Sequence, residues 1–144
     1  MKGECIDQIR KSKNDQFKVG DYVLGNLGWR EYWLSDGSES DVMKIDSKLA
    51  SIQWYLGILG LIGPTAYVGL LKIVQLVDNS NSTIFVSAAA GAVGSTACQI
   101  AKIKGCSVIG SAGSHEKVKW LLDQAGKIMP LIIKRQERII FQLN

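Results

Sequence analysis

The chain has 144 residues, 47% of them hydrophobic and 21% charged, with a formal net charge of +4. That balance fits a globular domain with a buried core rather than a disordered tail. The positive charge gathers at the end, where Lys127, Lys134, Arg135 and Arg138 face Glu137. No stripe of Lys and Arg interleaved with aromatics precedes it, which argues against a nucleic-acid partner.

Cys5, Cys98 and Cys106 are odd in number, far apart and without a CxxC spacing, so they predict a reducing, cytoplasmic setting and no disulfide framework. The polar start, Met1-Lys2-Gly3-Glu4-Cys5, lacks the apolar centre of a secretory signal. Residues up to about 18 carry no strong pattern, and 11–15 read as a solvated loop. Gly20-Asp21 then offers a turn before Tyr22-Val23-Leu24, and Tyr32-Trp33-Leu34 supplies a second β-favouring run. After the turn-rich residues 36–40, Val42, Met43 and Ile45 predict another short extended piece.

Residues 52–71 carry no charge and have the length of a membrane-spanning helix. A membrane-anchored polypeptide is therefore one reading of this stretch. Gly57, Gly60, Gly63, Gly69 and Pro64 would loosen or kink a single helix, and favour two short buried helices instead. These would run over about 51–61 and 65–75, jointed at Gly63-Pro64, since proline suits a helix start.

The polar loop 78–82 precedes Thr83-Ile84-Phe85-Val86-Ser87, a β-branched run of the kind that forms a fully buried parallel strand. In 91–104, Val93, Ala97, Ile100, Ala101 and Ile103 fall at helical spacing, and Gly105 closes that helix. A second strand over 106–111 and a helix over 115–124, with Val118, Leu121 and Leu122 on one face, complete the order β-α-β-α. Strand, crossover helix and strand fit within about 30 residues, as a parallel unit demands.

The joint between the first of these strands and its helix reads Ala88-Ala89-Ala90-Gly91-Ala92-Val93-Gly94. It matches a GxGxxG fingerprint with Ala89 in the first position. A side chain at Gly91 would hold the backbone away from a pyrophosphate, and Gly94 lets the helix lie close to the strand. The helix start offers unpaired N–H groups and the positive end of its dipole to an anion. Tight packing alone also explains alanine and glycine here, but the strand-turn-helix-strand context favours dinucleotide binding. The segment after the second strand, Ser111-Ala112-Gly113-Ser114-His115-Glu116-Lys117, lacks the acid that grips an NAD ribose. Its small residues, hydroxyls and nearby cation suit the 2′-phosphate of NADPH, although Lys117 also reads as a solvated surface lysine, Glu116 as an N-terminal helix charge and His115 as a surface residue.

These blocks, together with Phe17-Lys18-Val19-Gly20-Asp21-Tyr22-Val23-Leu24-Gly25, Gly28-Trp29-Arg30-Glu31-Tyr32, Leu56-Gly57-Ile58-Leu59-Gly60 and Thr65-Ala66-Tyr67-Val68-Gly69-Leu70, resemble the zinc-independent medium-chain dehydrogenase/reductases. The nearest branch is that of prostaglandin and leukotriene reductases and 2-alkenal reductases, and the likeness covers roughly 17–126. The resemblance implies an α/β fold in which a partial Rossmann unit (parallel βαβα) follows the end of a GroES-like β-rich domain. Residues 1–50 would be the remnant of that substrate domain, 51–126 the linking helices and first half of the NADPH-binding domain, and 127–144 a divergent tail.

It further implies NADPH-dependent reduction of the carbon–carbon double bond of α,β-unsaturated aldehydes or ketones, with hydride going to the β carbon. Ala90, Gly91, Ala92, Val93 and Gly94 would meet the pyrophosphate, Gly113, Ser114 and Lys117 the 2′-phosphate, and Leu61 and Thr65 the nicotinamide. No side chain stands out as a catalytic acid, which fits a protein that aligns donor and acceptor. A homodimer is implied for full-length members. Zinc-dependent relatives place a cysteine ligand four residues before the threonine matching Thr65, where this chain has Leu61. One histidine and three scattered cysteines form no recognisable zinc site.

The chain departs from the family at both ends. By the resemblance the first part of the substrate domain would be missing, and no third Rossmann strand is expected after 126, leaving a two-stranded sheet short of cover. The tail is the pattern a shifted reading frame would leave, which resequencing the locus tests. Its Ile139-Ile140-Phe141 beside Lys134 and Arg135 also suits contact with a membrane or partner. The rival from another class is a non-catalytic remnant or nucleotide-binding module.

Overall fold

The computed structural model describes residues 3–26, 28, 30–35, 42–78, 81–123 and 128–132. The expected turn at 36–40 and the tail 133–144, with Ile139-Ile140-Phe141, lie outside the described residues. The chain divides into two compact units, Met1–Leu61 and Ile62–Asn144.

The first unit is an antiparallel sheet of β1 (Cys5–Gln8), β2 (Tyr22–Gly25) and β3 (Val42–Ile45), in that order. Gly20 turns the chain into β2 at φ +91°, a conformation glycine adopts without steric cost, and its N–H donates to the Ile9 carbonyl at 2.9 Å. β1 escapes a sequence reading because Cys-Ile-Asp-Gln lacks a β-branched run, and its partner supplies the register, Ile6 opposite Leu24 and Asp7 opposite Val23. The β-favouring Tyr32-Trp33-Leu34 is irregular, with Tyr32 and Leu34 exposed, so propensity without a pairing partner made no strand there. Leu24, Ile45 and Tyr55 form the core of this unit. Tyr55 sits on a 3-10 helix, Ile52–Leu56, and its hydroxyl donates to the Asp46 carbonyl at 2.8 Å, which satisfies the one polar atom the ring would otherwise strand.

The second unit opens with α1 (Ile62–Tyr67), which runs into a π-helical stretch, Val68–Ile73. Residues 52–71 are thus a 3-10 helix, a turn, an α-helix and a π stretch, and no helix among the described residues is long and apolar enough to cross a membrane. The joint expected at Gly63-Pro64 is instead the first turn of α1, where a missing N–H costs nothing.

Beyond it lie β4 (Thr83–Val86), α2 (Ala92–Ile103), β5 (Ser107–Ala112), α3 (His115–Asp123) and β6 (Met129–Ile132). The three strands form a parallel sheet in the order β4-β5-β6, with Phe85, Ile109 and Met129 in one register row. The βαβα order holds, but β6 corrects the expectation of only two strands: Met-Pro-Leu-Ile is short, and Pro130 lacks a ladder donor, yet it pairs on one side alone, as edge proline does. One face of the sheet packs on the helices through Ala89, Cys98, Ala101, Val108, Leu121 and Ile128. Leu121 is fully buried, contributing about 1.5–3 kcal/mol. The other face is covered only in part, with Phe85 54% exposed and Ser111 buried, so β4 is parallel but not fully buried as its composition had suggested.

α2 ends as its glycine predicts. Gly105 is left-handed at φ +81° and donates to the Lys102 carbonyl at 2.9 Å, while Cys106 reaches back to the Ala101 carbonyl at 3.0 Å. This Schellman pattern satisfies two carbonyls that the helix would otherwise leave free and aims the chain into β5.

Candidate functional site

The joint between β4 and α2 is built from backbone. Ala88 turns left-handed at φ +48°, and its carbonyl accepts the N–H of Gly91 at 2.8 Å. Ala89 is fully buried and donates its N–H to the Ser111 carbonyl at 2.8 Å, which ties the turn to the end of β5. Gly91 is the N-cap of α2, and Ser95 is the helix's first amide to find a carbonyl, that of Gly91 at 2.8 Å. The amides of Ala92, Val93 and Gly94 therefore precede the hydrogen-bonded ladder and are the groups an anion would meet.

Two of the glycines have a measurable reason. A methyl group at Gly94 would lie 2.9 Å from the Ala88 carbonyl carbon and 3.0 Å from the Ala89 Cα, closer than packing allows. One at Gly91 would lie 3.1 Å from the Ala88 oxygen, and Gly91 is exposed at the mouth of the turn. Gly94 is thus bare because α2 lies hard against the turn, while Gly91 keeps the exposed mouth of the turn free of a side chain, beside amides of the kind that suit a pyrophosphate. Gly91 contributes through its missing side chain, because its own N–H is engaged by Ala88. The hydroxyls of Ser95 and Thr96 both donate to the Ala92 carbonyl, at 3.1 and 2.9 Å, and so lie along the helix rather than at its mouth.

Across the sheet, the C-terminal end of β5 leads into α3. Ser114 caps it: the Ser114 Oγ accepts from the Lys117 N–H at 3.3 Å, and the Ser114 carbonyl accepts from Val118 at 3.0 Å. A hydroxyl that accepts in this way keeps its own O–H to donate. Gly113 and Lys117 are exposed, and nothing lies within 4 Å of a methyl group placed at Gly113, so packing does not demand glycine there. Because β4 and β5 are neighbouring parallel strands, residues 90–94 and 113–117 stand at the same end of the sheet.

Thr65 lies exposed on α1, which packs against α2, and Leu61 lies exposed at the end of the first unit. Ala88 and Ser111 were missed by the sequence reading. Alanine carries no signal for a left-handed backbone, and the Ser111 role is played by its carbonyl, which every residue has. Among the described residues, no group of three or more His, Cys, Asp or Glu is placed to hold a metal. Burial pushes the Cys98 thiol up, as expected for a group fully enclosed in α2.

An N-terminal-domain family of oxidoreductases matches residues 1–45. The chain is 54% identical over 121 residues to YfmJ of Bacillus subtilis, an NADP-dependent oxidoreductase by name, covering 84% of this chain and 34% of that protein. It is 44% identical over 127 residues to prostaglandin reductase 1 of Bos taurus, covering 84% and 36%. The crystal structure of CurA from Vibrio vulnificus in complex with NADPH matches with a TM-score of 0.81 at 37% identity, over 94% of this chain and 39% of that one. The chain belongs to the zinc-independent medium-chain dehydrogenase/reductases. It spans about a third of the length of the curated relatives it matches.

Proposed function

We propose that this chain carries the pyrophosphate- and 2′-phosphate-binding half of an NADPH-dependent reductase acting on the carbon–carbon double bond of α,β-unsaturated aldehydes or ketones. The observation that carries the reading is the turn left bare at Gly91 and packed close to α2 through Gly94, with the amides of Ala92, Val93 and Gly94 ahead of the α2 ladder. The named activities of its relatives support NADP dependence and a reductase chemistry.

When bound, NADPH supplies a hydride to the β carbon of the acceptor. The chain's own part is to hold and orient. The cradle receives the pyrophosphate, the Ser114 hydroxyl and the Lys117 ammonium receive the 2′-phosphate, and Thr65 is assigned to the nicotinamide. The absence of an acid at the end of β5, where Ala112, Gly113 and Ser114 stand, disfavours NADH, whose ribose hydroxyls want an acceptor. A cytoplasmic, dimeric enzyme fits the family and the three free cysteines.

Titrating the purified chain with NADPH and NADH tests this. NADPH should bind more tightly, and Lys117→Ala should weaken NADPH by roughly tenfold while leaving NADH unchanged, the loss of one charge-assisted contact. Equal binding of both nucleotides, or none, would refute the cofactor assignment. Oxidation of NADPH in the presence of a short 2-alkenal reports the reaction itself, and its absence with NADPH bound would favour a nucleotide-binding module without catalysis.

A further inference from the structure

The turn between β4 and α2 holds an alanine in a backbone conformation that glycine or asparagine usually takes. Ala88 has φ +48°, in the left-handed region, where its Cβ crowds the following carbonyl. Its surroundings hold it there. Its carbonyl accepts the Gly91 N–H at 2.8 Å, the Cα of Gly94 closes on the same carbonyl so tightly that no methyl group fits, and the next residue, Ala89, is buried and bonded to Ser111.

Resting on the reading of this turn as a dinucleotide site, we infer that Ala88 is its positioning residue. The left-handed backbone turns the Ala88 carbonyl inward, where it engages Gly91 and packs on Gly94. That choice decides which amides remain for the anion: those of Ala92, Val93 and Gly94. A peptide rotated out of this state would release a carbonyl, a partial negative charge, beside a phosphate and would let the helix start drift from the strand. The role falls to the main chain, so what matters at position 88 is the ease of reaching φ near +50° and not the identity of the side chain.

The test uses the full chain with Ala88→Gly and Ala88→Val, followed by thermal unfolding and by titration with NADPH and with adenosine 2′-monophosphate, which lacks the pyrophosphate. Glycine reaches the left-handed state freely, so Ala88→Gly should raise Tm by about 1–4 °C and keep both affinities within about twofold. A β-branched residue resists that state, so Ala88→Val should weaken NADPH by about tenfold or more while adenosine 2′-monophosphate binds within about twofold of the parent. A general loss of structure would weaken both ligands together.

A fall in Tm for Ala88→Gly overturns the inference, as does a folded Ala88→Val chain that binds NADPH like the parent. Should Ala88→Val fail to fold, Ala88→Gly alone decides. If the parent binds neither ligand, the dinucleotide reading falls, whereas the melting temperature of Ala88→Gly still judges the backbone claim.

Discussion

The Asp21 carboxylate receives the Lys44 ammonium at 2.5 Å, joining the residue before β2 to the strand beside it, and the same oxygen accepts the Lys18 N–H at 2.8 Å. Lys44 and then the Lys18 amide hold the Asp21 carboxyl below the ordinary carboxylate value. A lowered folded value means that this stabilisation is fully present above the ordinary value of 3.8 and is lost as pH falls through the folded one. Asp21→Asn should therefore flatten the acid limb of a Tm-against-pH curve by lowering its neutral plateau toward the acid values, and the change should be small because surface pairs contribute little. An unaltered acid limb would show that the pair is not formed in solution.

Gly94→Ala puts a methyl group against the Ala88 backbone, which cannot swing aside as a side chain would. The chain should lose about 1–3 kcal/mol in urea unfolding, and NADPH should bind at least about tenfold more weakly because α2 must retreat from β4. Parent-like values in both measurements would remove the steric reason for this glycine.

Gly110→Ala and Gly69→Ala should move stability in opposite directions. At Gly110 a methyl group would lie 2.7 Å from the Ala89 Cβ and 2.8 Å from the Ile128 Cγ2, an overpacked core that costs about 1–3 kcal/mol. At Gly69 nothing lies within 4 Å, and alanine should stabilise by about 0.4–1 kcal/mol by restricting the unfolded chain. Urea midpoints of the two variants check the pair of signs.

Cys98 should resist alkylation in the native chain, while the half-buried Cys5 reacts ahead of it and of buried Cys106. Because burial raises the Cys98 value, its contribution to stability is fully present below the ordinary thiol value of 9.0 and is lost as pH rises beyond it toward the folded one. Thiol labelling at neutral pH, and Tm of Cys98→Ala against the parent between neutral and alkaline pH, measure both effects.

The second unit was more legible than the first. Val93, Ala97, Ile100 and Ala101 repeat at helical spacing, Gly105 marks the stop, and Gly91 and Gly94 stand where a tight turn must be bare, so α2 and its approach follow from local chemistry. β1 and β6 owe their existence to pairing across the sheet, which Cys5–Gln8 and Met129–Ile132 do not announce. Tyr32-Trp33-Leu34 shows the converse, strong preference with no partner to meet it. At the site, absent side chains were readable, whereas the bend at Ala88 and the carbonyl of Ser111 are main-chain events that residue identity does not encode.

The aligned Phe85, Ile109 and Met129 give the native fold a property usually taken as a symptom of damage. Phe85 and Met129 are both about half exposed, so an amphiphilic reporter dye will find an oily strip on the intact sheet and brighten before anything unfolds. Dye-monitored melting of this chain therefore starts from a high baseline, and circular dichroism is the better gauge of its transitions.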